Sequence, residues 1–375
     1  MSVEIKEIIE EKDKEKFIDF PHDLYNNDAN YVPELFIAQK ELFSPKKNPF
    51  FENAKVSLFL AYKEAKIVGR IAAIKNISYN KYHNCNIGFF GFFDCINDHE
   101  VAKVLFDIVK EWHLKEGHDS INGPTNFSTN DTAGLLVEGF DSPPVVMMTY
   151  NKKYYAELIE ANSYTKEMDL LAYRIPTKTV SQKSLRISDL LEERLARKQI
   201  TIREINVKDW DNEVAKIRKI YNSAWEKNWG FFPFSKAEFD HLAEGLKLIL
   251  NAEFAYIAEK DGEAIGFMLA LPNLNETLIK IKKGRLFPFG IFKLLLGRKK
   301  FRIVRVVTLG VVEEFRKAGI EGIFYAKIIK AAQKYNIDFG EASWILENNE
   351  IMNQGVSKLN GEKYKTYRIY GQSLK

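Results

Sequence analysis

One stretch constrains the fold more than any other. It runs Arg305-Val-Val-Thr-Leu-Gly310-Val-Val-Glu-Glu-Phe-Arg316-Lys-Ala-Gly319-Ile-Glu-Gly322-Ile-Phe-Tyr325. The apolar, β-branched start predicts a buried strand. A short charged turn follows. Ile320, Phe324, Ile328, Ala331 and Tyr335 then recur at helical spacing and predict an amphipathic helix. Strand, basic glycine-containing turn and helix N-terminus together build an anion site, because the first backbone N–H groups of a helix lack partners and sit at the positive end of its dipole. Glycines let a ligand approach the backbone, and Arg316 and Lys317 add charge.

The stretch resembles the acyl-CoA-binding segment of the GNAT acyltransferases, in which a strand is followed by Arg/Gln-x-x-Gly-x-Gly/Ala and a helix over the CoA pyrophosphate. Arg316 and Gly319 match that pattern. Glu321 stands where the family has a small residue, and Gly322 comes one position late. An ordinary strand–turn–helix is the competing reading.

A chain of 375 residues suggests two domains. The element order agrees. Val56–Tyr62 and Lys66–Ile74 read as a hairpin, Asn86–Cys95 as an aromatic-rich strand, Glu100–Glu116 as a helix and Ser120–Gly123 as a short strand. Met147–Tyr150, a helix over Tyr154–Ala161 and a strand over Asp169–Ile175 close the first half. The second half repeats the order: a hairpin at Phe254–Ala258 and Ala264–Leu271, a strand at Val304–Val311, a helix to about Tyr335, then Ala342–Leu346, Asn349–Leu359 and Tyr364–Tyr370. The repeat shows in residues too, since Ala61-Tyr-Lys-Glu-Ala-Lys-Ile-Val-Gly69 and Ala258-Glu-Lys-Asp-Gly-Glu-Ala-Ile-Gly266 share spacing and type. A polar link, Pro176–Ser184, separates the halves. The expected fold is therefore α/β with mixed sheets, in two tandem GNAT-like domains. The resemblance implies that residues 1–176 are a degenerate domain that shapes the acceptor site and that residues 177–375 are the domain that binds acyl-CoA. The resemblance extends to bacterial acyltransferase-like proteins, one branch of which is linked to N-acylation of sphingoid bases.

That resemblance implies a site. Backbone groups of Thr308, Leu309, Gly310 and Val311 would pair with the pantetheine arm. The turn Arg316, Lys317, Ala318, Gly319, Glu321 and Gly322 would hold the pyrophosphate, with Asn349 at the next helix start also touching CoA. Acyl transfer to an amine requires a base for the ammonium, a stabilised oxyanion and an acid for the thiolate. Glu347, just past a strand end, is the expected base, directly or through water; the competing reading is that Glu347 is a plain acid of the helix N-cap region. GNAT enzymes often place a Tyr in the following helix as the acid; here Ser357 stands there, and Tyr364 is the substitute. The first half lacks this equipment, because Asp94-Cys-Ile-Asn-Asp-His-Glu100 carries three acids and no glycine. Its polar run from Gly123 to Gly134 supplies Asn126, Asn130 and Asp131, either as acceptor ligands or as a capped loop.

Other chemistries find little support. No His cluster, paired Cys or acid triad suggests a metal or a covalent intermediate, and Cys85 and Cys95 are expected to stay reduced in a cytoplasm. The acidic N-terminus predicts no secretory signal, and no apolar run reaches the roughly 18 residues of a spanning helix. Charge is uneven. Leu278–Arg305 holds ten Lys/Arg and no acid, leaving 45 basic against 51 acidic residues elsewhere. The cations interleave with Leu, Ile and Phe. The stretch reads either as a core excursion between strands or as a peripheral contact with the inner face of a membrane. Nucleic acid is not expected, since no stacking platform separates from packing. The expected activity is transfer of an acyl group from acyl-CoA to an amine, long-chain or lipid-like if the membrane reading holds. A non-catalytic GNAT-fold binding module and an aminoacyl-tRNA-dependent transferase are the alternatives.

Overall fold

The computed structural model describes residues 2–178, 180, 182–226 and 228–375. Two residues of the expected link, Thr179 and Ser181, lie outside the described residues. The elements are β1 (Glu4–Glu7), α1 (Glu11–Leu24), α2 (Phe36–Leu42), β2 (Ala54–Lys63), β3 (Lys66–Asn76), α3 (Ile77–His83), β4 (Ile87–Cys95), α4 (His99–Lys115), β5 (Ser120–Gly123), β6 (Thr125–Asn126), β7 (Thr132–Ala133), β8 (Leu135–Glu138), α5 (Tyr155–Glu160) and β9 (Thr165–Pro176). They continue with α6 (Gln182–Ala196), β10 (Ile200–Glu204), α7 (Trp210–Ala224), α8 (Lys236–Lys247), β11 (Ala255–Lys260), β12 (Glu263–Pro272), α9 (Asn275–Leu278), α10 (Gly290–Gly297), β13 (Ile303–Val311), α11 (Ile320–Lys334), β14 (Phe339–Leu346), α12 (Glu350–Lys358) and β15 (Glu362–Ser373). They form two compact units. Unit 1 comprises the residues up to Leu170 together with Asn275–Leu296 and Lys365–Lys375; unit 2 comprises Leu171–Leu274 and Gly297–Tyr364.

Unit 1 orders its strands β1-β2-β3-β4-β5-β15. The first four are antiparallel, and β5 joins β4 in parallel. Val101, Ala102, Leu105, Phe106 and Val109 form the buried stripe of α4, a spacing of three and four that places them on one face. They close a core with Phe59, Ile71, Phe90 and Tyr155. Unit 2 builds the same pattern: β10 to β13 run antiparallel, β14 joins β13 in parallel, and α11 buries Ile320, Phe324, Ile328 and Ala331 as expected. Tyr335 caps the end of α11 and stacks on Phe301.

The short sequence repeat is a structural repeat. Ala61 pairs with Gly69 and Ala258 with Gly266, and in each hairpin the register shifts directly after the alanine. A Cβ on Gly69 would lie 2.7 Å from Leu105 Cδ1 of α4; one on Gly266 would lie 3.1 Å from Val311 Cγ2 and 3.5 Å from Phe324 Cε2 of α11. Both glycines let the helix that follows the bulged strand lie close against the hairpin.

Met147–Tyr150 does not form a strand. Met147 adopts φ +59°, and the Met148 N–H donates to Val145 O at 3.1 Å, a turn. Among the described residues no helix is long and apolar enough to cross a membrane, and no group of His, Cys, Asp and Glu could hold a metal ion.

Candidate active site

In unit 2 the parallel strands part. β13 and β14 pair only from Ile303↔Phe339 to Val306↔Ala342, although β13 runs on to Val311 and β14 to Leu346. On the other side of β13 the β12 register shifts between Leu269 and Ala270, opposite Thr308 and Val306. A bulge of this kind bends a strand and increases its twist, which turns β13 away from β14. The result is a fork. Its β13 edge, Thr308–Val311, is paired to β12 alone among the strands. Thr308 Oγ1 is buried there with no hydrogen-bond partner among the described residues.

The base of the fork holds a buried polar network. Arg305 and Glu341 are register partners, 2% and 0% exposed. Arg305 Nε donates to Ser343 Oγ at 2.9 Å, and Ser343 Oγ donates to Glu341 Oε1 at 2.6 Å. The Tyr364 hydroxyl donates to Glu341 Oε2. The Arg174 guanidinium lies 4.1 Å from the Tyr364 ring centroid. Tyr364 is thus joined to a buried carboxylate. Glu347 lies one residue past β14, exposed, and its carbonyl accepts from Asn353 Nδ2 at 3.3 Å. Ser357 is also on the surface, its hydroxyl donating to Asn353 O at 2.9 Å.

The predicted anion turn opens α11. Gly319 is its N-cap, with φ +85°, and no side chain caps the helix. Ala318 packs against the unit 2 core, while Arg316 and Lys317 are exposed. Arg316 Nη2 donates to Ala224 O at 3.0 Å and its Nε to Val311 O at 3.3 Å. Nothing lies within 4 Å of where a Gly322 Cβ would stand. Burial pushes the Glu321 carboxyl up, against the pull of Arg316. Of the other expected residues, Gly310 faces Trp225, which a Cβ would meet at 2.4 Å, and Asn349 caps α12 by accepting from Met352 N at 3.2 Å. A strand edge paired on one side and an uncapped, cation-flanked helix N-terminus could hold an extended hydrogen-bonding chain and an anionic group.

Unit 1 has the same fork with its own chain in it. β4 pairs with β5 only from Ile87↔Ser120 to Phe89↔Asn122, and its register with β3 shifts between Arg70 and Ala72. Here Asn126 Oδ1 accepts the Phe92 N–H at 2.8 Å, and a Cβ on Gly91 would lie 1.8 Å from Thr125 O. The start of α4 is closed as well, because Asp98 Oδ1 accepts from Glu100 N at 2.9 Å and Val101 N at 3.3 Å. Asn126 therefore occupies the strand edge. Asp131 accepts from Ser128 Oγ at 2.7 Å, and the Asn130 N–H donates to the same Ser128 oxygen at 3.2 Å, within one loop.

Beside this plugged fork unit 1 has a partly open cavity of about 170 Å³, lined by His22, Tyr31, Arg70, Asp94, Met148 and Asn275 among others. Arg70 Nε donates to Asp94 Oδ2 at 2.8 Å, and the Tyr25 and Tyr155 hydroxyls donate to Asp94 Oδ1 at 3.0 and 3.2 Å. His22 Nδ1 meets the Tyr31 hydroxyl at 2.9 Å, while its Nε2 is buried without a partner among the described residues. Burial, then the charges of Arg70, Lys283 and Arg285, hold His22 down at about 4. Neither His22 nor Glu341 is among the residues expected from the sequence. The available signal was a charged residue inside an apolar strand: Arg70, Asp94, Arg305 and Glu341 each sit in one, and such residues need partners.

No family model matches. Protein YghO of Escherichia coli is 36% identical over 376 residues, spanning 99% of this chain and 95% of that protein. A protein named bacterial ceramide synthase, from Caulobacter vibrioides, is 34% identical over 369 residues, spanning 96% and 94%. Among solved structures, a tandem GNAT protein from the clavulanic acid biosynthesis pathway is similar with a TM-score of 0.58 at 9% identity, over 100% of this chain and 99% of that one. A GCN5-related N-acetyltransferase from Anabaena variabilis is similar with a TM-score of 0.51 at 10% identity, over 99% and 73%. At those identities the structural likeness speaks to the fold alone.

Proposed function

Because this chain belongs to the family of Protein YghO and the bacterial ceramide synthase and has the tandem GNAT fold, we propose that it is an acyl-CoA-dependent N-acyltransferase with one working fork, in unit 2. The observation that carries the reading is the asymmetry of the forks: Asn126 fills the one in unit 1, whereas the β13 edge in unit 2 pairs with no β14 residue beyond Val306. The acceptor amine attacks the thioester carbonyl, the C–N bond forms, the C–S bond breaks, and the amine proton ends on the departing sulfur. Glu347 serves as base for the ammonium. The Tyr364 hydroxyl, joined to Glu341, gives its proton to the departing sulfur and is reprotonated by the proton that the acceptor nitrogen loses, so that the amine proton ends on sulfur in the balance. Arg316, Lys317 and the first turn of α11 hold the pyrophosphate.

The acceptor is a long-chain, sphingoid-type amine in this reading, supported by the name of the 34% identical relative. We assign recognition of the acceptor to unit 1, on the cavity where His22 Nε2 is buried without a partner among the described residues, beside the Arg70–Asp94 ion pair. A second reading is a binding module without turnover, favoured by Glu321 at the position where GNAT proteins carry a small residue. Calorimetry with acetyl-CoA and palmitoyl-CoA, followed by thiol release against a panel of amines, separates the two. Release of CoA dependent on a long-chain amine supports the transferase. Binding without release supports the module, and absence of binding overturns both.

A further inference from the structure

We propose that the segment Asn275–Leu296 is a docking surface for an anionic lipid bilayer. The segment belongs to unit 1 and is fastened to it. Ile281 is buried, and a Cβ on Gly284 would lie 1.8 Å from Glu34 O. Arg285 Nη2 pairs with Asp19 Oδ2 at 2.6 Å and its guanidinium lies over the Phe36 ring at 3.2 Å, while Lys283 Nζ pairs with Asp23 Oδ1 at 2.7 Å. Beyond these anchors the chain turns its bulky apolar residues outward. Phe287 is 81% exposed, Phe289 72%, Phe292 61% and Leu296 73%. A core excursion would bury these side chains. Single exposed apolar residues are ordinary, but five in ten positions, Leu295 included, on a loop and the short helix α10, form a patch of the kind that marks a docking site.

The charge around the patch identifies the occupant. Lys280, Lys282 and Lys293 are exposed. Leu278–Arg305 contains no acid. Aromatic and leucine side chains inserted at the headgroup level, with lysines at their flanks, combine apolar burial with attraction to anionic lipid. A second copy of the chain is a poorer partner, because a two-fold contact would set these lysines against their equivalents. Nucleic acid would leave the apolar cluster without a partner.

Vesicle binding tests the surface without reference to catalysis. The full chain should co-sediment with phosphatidylglycerol–phosphatidylcholine vesicles at low salt, and much less with phosphatidylcholine alone or at high salt. Phe287→Ser/Phe289→Ser/Phe292→Ser should lower partitioning at least ~10-fold. Lys280→Gln/Lys282→Gln/Lys293→Gln should lower it by about fivefold per cation engaged and flatten its salt dependence. Because all six side chains are exposed, circular dichroism and the melting midpoint should not change, and each variant set checks the other. Wild-type protein that stays in the supernatant at low salt overturns the proposal. So does unaltered partitioning of the serine variant, or a wild-type dimer in light scattering that the serine variant resolves into monomers.

Discussion

Replacing Glu341 by Gln tests whether the polar network at the base of the unit 2 fork is held by charge. The substitution conserves volume and one acceptor oxygen. It removes the carboxylate that is the register partner of Arg305, a guanidinium only 2% exposed. It also leaves one acceptor where two donors, Ser343 Oγ and Tyr364 OH, each had an oxygen. Arg305 and Glu341 are joined through Ser343 Oγ, two buried charges bridged by one hydroxyl; by analogy with removing one partner of a buried charge pair the loss is roughly 3–5 kcal/mol, of which an unpaired buried donor accounts for about 1–3 kcal/mol. Arg305 keeps Ser343 Oγ and Ser343 O as acceptors, which places the expected loss near the lower end, about 3 kcal/mol. With an m-value of about 3 kcal/mol/M in urea, the midpoint should fall by about 1 M. Urea denaturation followed by circular dichroism measures this, with Glu347→Gln as the matched surface control, expected within about 0.5 kcal/mol of wild type. Arg305→Leu/Glu341→Leu should recover much of the loss, since apolar replacement of a whole buried pair is often neutral. A loss below about 1 kcal/mol for Glu341→Gln, or one equal to that of Glu347→Gln, would refute the charge argument.

Three further outcomes are expected. Glu347→Gln should lower turnover of a long-chain amine by roughly 10²–10⁴-fold while leaving the calorimetric affinity for acyl-CoA unchanged; near-wild-type turnover would move the base elsewhere. Gly322→Asp should abolish CoA binding, because it sets a carboxylate in open space at the first turn of α11. It is a cleaner probe than a change at Gly319, where φ is +85° and a Cβ would lie 2.7 Å from Leu191; unchanged affinity removes the pyrophosphate from this turn. Stability should also fall with acid. Burial holds His22 down at about 4 and, with His118 beside it, His113 at about 3, so both are neutral when folded and take protons near 6.5 when unfolded. Their contribution is complete above pH 6.5 and is lost as pH falls through about 4 and 3 respectively, with the His22 share about 3 kcal/mol at most. His22→Gln should therefore flatten the urea-midpoint profile between pH 6.5 and 4, and an unchanged slope would show that His22 is not held neutral.

Much of the frame was legible in the sequence. The apolar runs at Val56–Tyr62 and Lys66–Ile74, and at Phe254–Ala258 and Ala264–Leu271, predicted hairpins, and the structure pairs Ala61 with Gly69 and Ala258 with Gly266 within them. The α11 face follows from 3.6-residue spacing alone. Local patterning reported less between Gln182 and Lys247, where α6, β10, α7 and α8 lie. One sign was there: Ser235 and Glu238 form a capping box at the start of α8. The fork could not be read from spacing, because it depends on where a parallel ladder stops, a property of two distant strands. The same reason hides Glu341, whose role comes from its register opposite Arg305. Asn126 was noticed for its polarity, but its bond to the Phe92 N–H is visible only once β6 is placed against β4.

The plug in unit 1 also has a consequence in linkage terms. A strand edge satisfied by a residue of the same chain has no dissociation constant and no dependence on solute concentration. Its stability is set once, at folding. An edge satisfied by a diffusing molecule is different: each tenfold rise in free ligand above its Kd adds about 1.4 kcal/mol to the folded state. Two forks of common design thus respond differently to the same supply of ligand. Amide exchange in β13 would slow as that supply rises, whereas exchange at Phe92 would report only on the chain itself.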